Sequence, residues 1–174
     1  MDLWNNFKPN DWVQWVTKID GRTSEDCSKL NGCCFVYREC PIPLEDTHPF
    51  CRCHLERVSK PPIAAEADIR KFTEYLFNVV DYDDGKIELF EKWGFSIEDS
   101  DGLKDIYIQQ AKEKYANGDY QLGKLNEWGQ RIVIEIELTD IQGKPRHIKT
   151  GWLAEPFGQI KLATPYAQKW KGKV

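Results

Sequence analysis

Residues 131 to 138 alternate without a break: Ile132, Ile134, Ile136 and Leu138 fall on one side, Arg131, Val133, Glu135 and Glu137 on the other. A period of two held over this length predicts a strand with one buried face. The turn-forming run Asp140-Ile141-Gln142-Gly143-Lys144-Pro145 follows, and alternation resumes from 146 to 154, with Ile148, Thr150 and Trp152 set against His147, Lys149 and Leu153. This predicts a hairpin. Ile160, Leu162 and Thr164 carry the buried phase into a last strand over 160–166. Upstream the period lengthens. Ile69, Phe72, Leu76 and Val79 form one helical stripe; Ile87, Phe90 and Trp93 mark a second helix over 85–93 stopped by Gly94; Leu103, Ile106, Tyr107, Gln110 and Lys114 mark a third from about 100 to 115, stopped by Asn117-Gly118. Helices followed by strands predict an α+β fold, with helices packed on one face of a small antiparallel sheet and the other face polar and partly solvated.

The chain before residue 67 has a different character. Ser59-Lys60-Pro61-Pro62-Ile63-Ala64-Ala65 reads as a semi-rigid linker, placed at 59–66, between a Cys-rich unit at 1–58 and the α+β unit at 67–174. All six cysteines precede residue 54. So small a unit buries little apolar area and calls for cross-linking. Cys27, His48, Cys51 and Cys53 offer four ligands for a structural zinc, although no Cys-x-x-Cys pair is present and Cys51-x-Cys53 is a tight spacing. Disulfides and free thiols are the other two readings; a catalytic cysteine has only His48 nearby, which serves equally as a structural partner. No apolar run approaches the roughly 20 residues that span a bilayer, and no basic-plus-apolar leader is present. The expectation is no membrane span and no signal peptide of its own.

Charge separates the α+β unit into halves. Residues 68–130 carry 8 basic and 14 acidic residues, residues 131–174 carry 8 basic and 4 acidic. A basic polar sheet face suits a phosphate backbone, and equally a solvated face or a partner surface. Arg131, Glu135, His147 and Lys149 alternate outward together. Cleaving RNA without a metal needs a group to deprotonate the 2′-hydroxyl, a cation for the phosphorane and an acid for the departing 5′ oxygen. Glu135 and His147 suit the proton transfers, Arg131 and Lys149 the charge. Each also has a plain reading: a cross-strand pair on a wet surface, or a polar residue beside a turn. Thr150, Trp152 and Thr164 share the core phase and read as packing. No Asp-rich metal motif, Gly-rich phosphate loop or Ser-His-Asp arrangement is visible.

Two resemblances extend this reading. Trp15, then Asp20, Arg22, Thr23, Ser24, Cys27, Leu30, Asn31 and Gly32, closed by His48-Pro49-Phe50-Cys51-Arg52-Cys53, resemble the end of the Mu F-like head-morphogenesis (minor capsid) domain of phages, in which a Trp-containing helix leads into the motif. That domain is much longer than 58 residues, so the resemblance covers only its final portion. Phe72 to Asn78, Gly85-Lys86, Trp128-Gly129-Gln130-Arg131, Lys149-Thr150-Gly151-Trp152-Leu153 and Leu162-Ala163-Thr164-Pro165-Tyr166 resemble an uncharacterised bacterial domain found alone and at the C-terminus of polymorphic toxins. Trp128 replaces its usual Tyr, Gly85 adjoins Lys86, and Pro165 interrupts its last run. Its order of elements is similar to the barnase, EndoU, colicin and RelE class of ribonucleases. The resemblance implies Lys86 as a phosphate clamp, and Thr164 and Tyr166 as hydrogen-bond donors or a stacking surface.

Together the resemblances imply a toxin module behind a capsid tail: a metal-independent ribonuclease, cofactor-free apart from a possible structural zinc in the Cys-rich unit. It would act on RNA of target bacteria and be neutralised by a cognate immunity protein. It would be virion-associated or exported to the target-cell cytoplasm, carried by a phage capsid or secretion apparatus. The alternative is a non-catalytic capsid or adaptor protein that binds nucleic acid or a neighbouring subunit. ADP-ribosyl transfer is a further alternative, hinted at only by Arg131 and Glu135.

Overall fold

The computed structural model describes residues 6–77 and 86–167. Three strands form an N-terminal sheet: β1 (Trp12–Val16) in the middle, with β2 (Cys34–Val36) and β3 (His54–Arg57) antiparallel on either side. Trp15 therefore lies in a strand, not in the helix implied by the capsid resemblance. The local sequence Trp-Val-Gln-Trp-Val accounts for this, because aromatic and β-branched side chains suit a pleated, half-buried surface. Helix α1 (Glu25–Leu30) links β1 to β2, and Ser24 caps it by accepting a hydrogen bond from the Cys27 N–H at 3.2 Å.

The second sheet has five strands in the order β4-β8-β7-β6-β5: β4 (Ala64–Glu66), β5 (Gln121–Asn126), β6 (Gly129–Thr139), β7 (Pro145–Glu155) and β8 (Gln159–Thr164). All pairings are antiparallel except β4 with β8. The fold is α+β as the patterning predicts, and the β6–β7 hairpin and β8 stand where alternation puts them. Residues 64–66, the end of the segment read as linker, instead add a short parallel strand to the sheet edge. The first helical stripe becomes a single π-helical turn, Lys71–Leu76, burying Phe72 and Leu76. Val79 and Gly85 lie outside the described residues. Helix α2 (Lys86–Lys92) buries Phe90 and ends at Gly94, whose φ of +88° gives the left-handed turn that favours glycine. Helix α3 (Ser100–Ala116) buries Leu103, Tyr107, Ala111 and Tyr115 along one stripe.

The two sheets share one core. Trp12, Trp15, Leu30 and Phe35 from the Cys-rich segment join Tyr107 and Tyr115 of α3 and Ile132, Ile134 and Trp152 of the hairpin in one buried cluster. Buried and half-buried polar groups tie the same seam. The Tyr115 hydroxyl donates to the Cys34 carbonyl, the Val36 N–H donates to the Tyr120 hydroxyl at 3.0 Å, and the Leu122 N–H donates to Glu39 Oε2 at 2.7 Å.

β5 pairs with β6 only as far as Val133, which leaves the outer end of β6 without a strand on that side. Helix α3 covers it. The Gln110 amide accepts from the Glu137 N–H at 2.9 Å and donates to the Glu137 carbonyl at 2.7 Å, as a paired strand would, and Lys114 Nζ donates to the Glu135 carbonyl at 2.6 Å. Polar residues at 110 and 114 on a packed helix are explained by this edge. Among the described residues, no helix is long and apolar enough to cross a membrane.

Candidate functional site

The β6–β7 register decides which outward side chains meet. Glu135 pairs with Lys149, Glu137 with His147, and Arg131 with Leu153. His147 Nδ1 lies 3.1 Å from Glu135 Oε1, and its Nε2 lies 3.8 Å from Glu137 Oε2, with the histidine side chain 51% exposed. Beside Glu135 and Lys149 a polar cavity of about 460 Å³ opens between the hairpin, the end of α3 and the Cys-rich segment; Lys114, Asp119, Arg38 and Glu39 also line it. Arg38 Nη2 donates to the Gly118 carbonyl at 2.7 Å, while Glu39 holds Leu122. The Cys-rich segment thus fixes both ends of the loop that forms one wall. Sequence reasoning missed Lys114, Arg38 and Glu39 as site residues. For Lys114 a signal existed: it follows Gln110 by one helical turn on a stripe otherwise apolar.

Arg131 does not join this group. Four residues along one strand separate it from Glu135 by about 13 Å at the usual rise per residue. Its guanidinium crosses β7 above Gly151 and donates to Thr164 Oγ1 at 2.9 Å. A Cβ on Gly151 would clash with Arg131 Nη2, so the missing side chain makes the passage. Thr164 occupies this outer face rather than the core phase expected from Ile160 and Leu162. The β7–β8 register moves from Trp152↔Leu162 to Gly151↔Thr164, so Ala163 is an extra residue, and the bulge turns Thr164 to the other side.

The remaining two residues are elsewhere. Lys86 Nζ donates to the Tyr75 hydroxyl at 2.8 Å and lies 4.4 Å from the centre of that ring, on the π-helical turn. Tyr166 is only 3% exposed, so its ring packs in the core and offers no face for stacking a base. Thr150 and Trp152 are buried as their phase predicts, with the Thr150 hydroxyl donating to the Ile134 carbonyl at 2.6 Å and accepting from Trp152 Nε1 at 2.8 Å.

In the Cys-rich segment, the ligand atoms of Cys27, His48 and Cys51 lie within 4.8 Å of one another. Cys27 Sγ is 3.2 Å from His48 Nε2 and 3.6 Å from Cys51 Sγ, close to the roughly 3.5–3.8 Å between ligand atoms on a tetrahedral ion with bonds of about 2.0–2.3 Å. His48 Nδ1 is 2.8 Å from the Pro49 carbonyl. A proton on Nδ1 leaves the Nε2 lone pair facing the sulfurs, the orientation a metal-bound imidazole needs. The chemistry of this donor set fits a metal ion, and the three residues could hold one. Burial pushes the Cys27 thiol up to about 12. At Cys51 burial acts the same way, but hydrogen bonds from the Thr47 hydroxyl, the Cys53 N–H and neighbouring thiols outweigh it and bring the thiol down to about 7. Cys53, predicted as a fourth ligand, is not among the three that come together; its Sγ is 3.5 Å from Thr17 Oγ1. All six cysteines are free thiols. Arg52 donates from both terminal guanidinium nitrogens to the Asp20 carboxylate at 2.7 Å, which ties the loop before α1 to the closing segment.

Fold and site thus define an α+β protein with a polar sheet face beside a charged cavity and a compact thiol–imidazole cluster. The chain belongs to the family described as Domain of unknown function (DUF6883), whose model matches residues 63–169, from just before β4 to beyond β8. No curated protein and no solved structure matches the chain.

Proposed function

We propose that this protein is a metal-independent ribonuclease whose site is the Glu135–His147 pair beside the cavity of Lys114 and Lys149. The observation that carries the reading is the 3.1 Å contact between His147 and Glu135, with Glu135 also lining a cavity bounded by two lysines. In-line attack on a phosphodiester puts the proton acceptor and the proton donor on opposite sides of phosphorus. Two groups in mutual contact therefore act on one side, as an oriented acceptor for the 2′-hydroxyl proton. The 2′ oxygen then bonds to phosphorus, the bond to the 5′ oxygen breaks, and that oxygen takes a proton from solvent on the far side, while Lys114 and Lys149 stand beside Glu135 in the cavity. Those ammonium groups offset the charge of the phosphorane. The products are a 2′,3′-cyclic phosphate and a 5′-hydroxyl end.

The capsid-like motif from Trp15 to Cys53 and the toxin-like motifs from Phe72 to Tyr166 support a setting for this activity. In that setting the protein is a toxin carried by a phage-type particle or secretion apparatus to the cytoplasm of target bacteria. A cognate immunity protein would cover the sheet face. For the metal, we assign zinc to Cys27, His48 and Cys51, with Cys53 as the candidate fourth ligand, because thiolate and imidazole donors in a closed site suit that ion.

A second reading, a non-catalytic capsid adaptor, draws support from the core that the Cys-rich segment shares with the hairpin, since one continuous core suits a rigid building block. Induced expression of the whole chain separates the two. Growth arrest with fragmented total RNA, both abolished by His147→Ala or Glu135→Gln, is the result expected of the ribonuclease. Normal growth with intact RNA, from protein shown to be folded and abundant, leaves the adaptor reading.

A further inference from the structure

The end of the five-stranded sheet opposite the His147 turn carries a group of residues that the cleavage step does not use. Trp128 stands at the tip of the β5–β6 turn, where Asn126 pairs with Gly129, and it is 73% exposed. The turn is firmly built: the Trp128 N–H donates to Asn126 Oδ1 at 2.9 Å, and Gly129 takes a φ of +127° that favours glycine. An indole held this far into water by a fixed backbone contributes little to the core. Two residues further on, Arg131 stands in a row across the outer face with Leu153 of β7 and Lys161 of β8. Arg131 and Lys161 bracket an apolar side chain, and the Arg131 guanidinium passes over Gly151 with Thr164 fixing its far end.

We propose that Trp128, Arg131 and Lys161 form a binding subsite for single-stranded nucleic acid, with a base stacked on Trp128 and phosphates held by the two cations. An exposed aromatic beside two cations, with Glu66 closing the row next to Lys161 at the sheet edge, is a combination that holds a single strand without reading its sequence, since every base has a π face and every linkage a charge. The subsite rests on the ribonuclease reading only for its role. It deepens that reading by naming the substrate as a single strand. A span of about 13 Å from Arg131 to Glu135 corresponds to roughly four stacked nucleotides at about 3.4 Å each, or fewer if the strand is extended. Arg131 is then a binding residue rather than the cation of the cleavage step, which explains why the fold keeps it apart from His147.

The test uses the whole protein and a 2′-deoxy oligonucleotide of mixed sequence about twelve nucleotides long, within the usual site size of about 4–16 nucleotides. Lacking the 2′-hydroxyl, this probe binds but is not cleaved. Trp128→Ala is expected to weaken binding about 5- to 150-fold, and Arg131→Gln and Lys161→Gln are each expected to reduce the slope of log affinity against log salt by about 0.7. Trp128 and Lys161 are exposed, so their variants fold, and a thermal melt verifies it. No binding by the wild type, or binding that Trp128→Ala leaves within twofold, overturns the subsite. A subsite that passes while RNA remains uncut in the presence of wild-type protein keeps this proposal and removes the ribonuclease reading. Cleavage with no Trp128 dependence of binding does the reverse.

Discussion

Gly151 shows how one absent side chain organises the sheet face. Its neighbours on β7 are chosen for bulk, yet here an arginine from β6 must pass to β8, and only a hydrogen leaves room. In Gly151→Ala the new methyl meets the mobile end of Arg131, so the guanidinium swings away and the bond to Thr164 is lost. Alanine gains roughly 0.5–1 kcal/mol in a strand over glycine, which offsets a hydrogen bond worth about 1 kcal/mol. Urea unfolding of the variant is therefore expected to stay within about 1 kcal/mol of wild type. Oligonucleotide affinity should fall with the shallower salt dependence expected of Arg131→Gln; an unchanged slope would mean that the passage over Gly151 does not set Arg131. At this scale alternation made Arg131, Glu135, His147 and Lys149 legible as outward residues, because a strand's period fixes its faces. It misplaced Thr164, because a bulge changes the face without leaving a mark in the hydrophobic pattern. Glycine at 151 reads in sequence as a weak strand position, and the arginine that needs it lies twenty residues earlier.

Elements were legible where their periodicity was long. β6, β7 and α3 each carry enough repeats to declare themselves, whereas β1 to β3 hold three to five residues each, and β5, with Gly123 and Lys124 in its middle, shows no alternation. Those strands exist because the shared core and the ladder hold them. The hairpin that carries His147 depends instead on its turn, where Asp140 accepts from the Gln142 N–H at 2.8 Å, the Lys144 N–H at 2.9 Å and Arg146 Nε at 2.8 Å. The Lys144 N–H does most to hold this carboxyl below its ordinary range; burial works against it, and the Arg146 guanidinium and Gln142 N–H add to the lowering. A carboxyl depressed in the folded state stabilises fully above its unfolded pKa of about 3.9 and loses that contribution as pH falls through the folded value. Asp140→Asn removes the charge at every pH. The melting temperature of wild type should exceed that of Asp140→Asn at neutral pH, and the gap should narrow as pH falls below about 4. Asp20 and Asp68, held low by Arg52 and Arg70, titrate with the same sign in both proteins and cancel in the comparison.

At the scale of the molecule, the change in composition near residue 60 marks a change in chemistry but not a gap in packing. Tyr115 and Tyr120 complete their burial and hydrogen bonding only with Trp12, Cys34 and Val36 in place. An aromatic side chain buries about 150–250 Å², worth roughly 4–6 kcal/mol at about 25 cal/mol per Å². Losing part of that burial from both rings takes several of the roughly 5–15 kcal/mol that a folded protein has in hand. A fragment of residues 59–174 is therefore expected to show no cooperative thermal transition, and toxicity or cleavage assays belong on the whole chain. The same continuity makes the thiol–imidazole cluster a lever on the distant hairpin. If zinc binds the folded chain alone, a free concentration of about 100 times its Kd adds roughly 2.7 kcal/mol, or about 5–10 °C in melting temperature for a protein of this size. A shared core requires that shift in one transition, reported alike by near-ultraviolet circular dichroism and by amide exchange of Ile134 and Thr150. Cys51→Ser should abolish it. Two separate transitions, with zinc moving only the first, would show that the Cys-rich segment unfolds independently of the sheet and that Arg38 and Glu39 do not hold the cavity wall through the core.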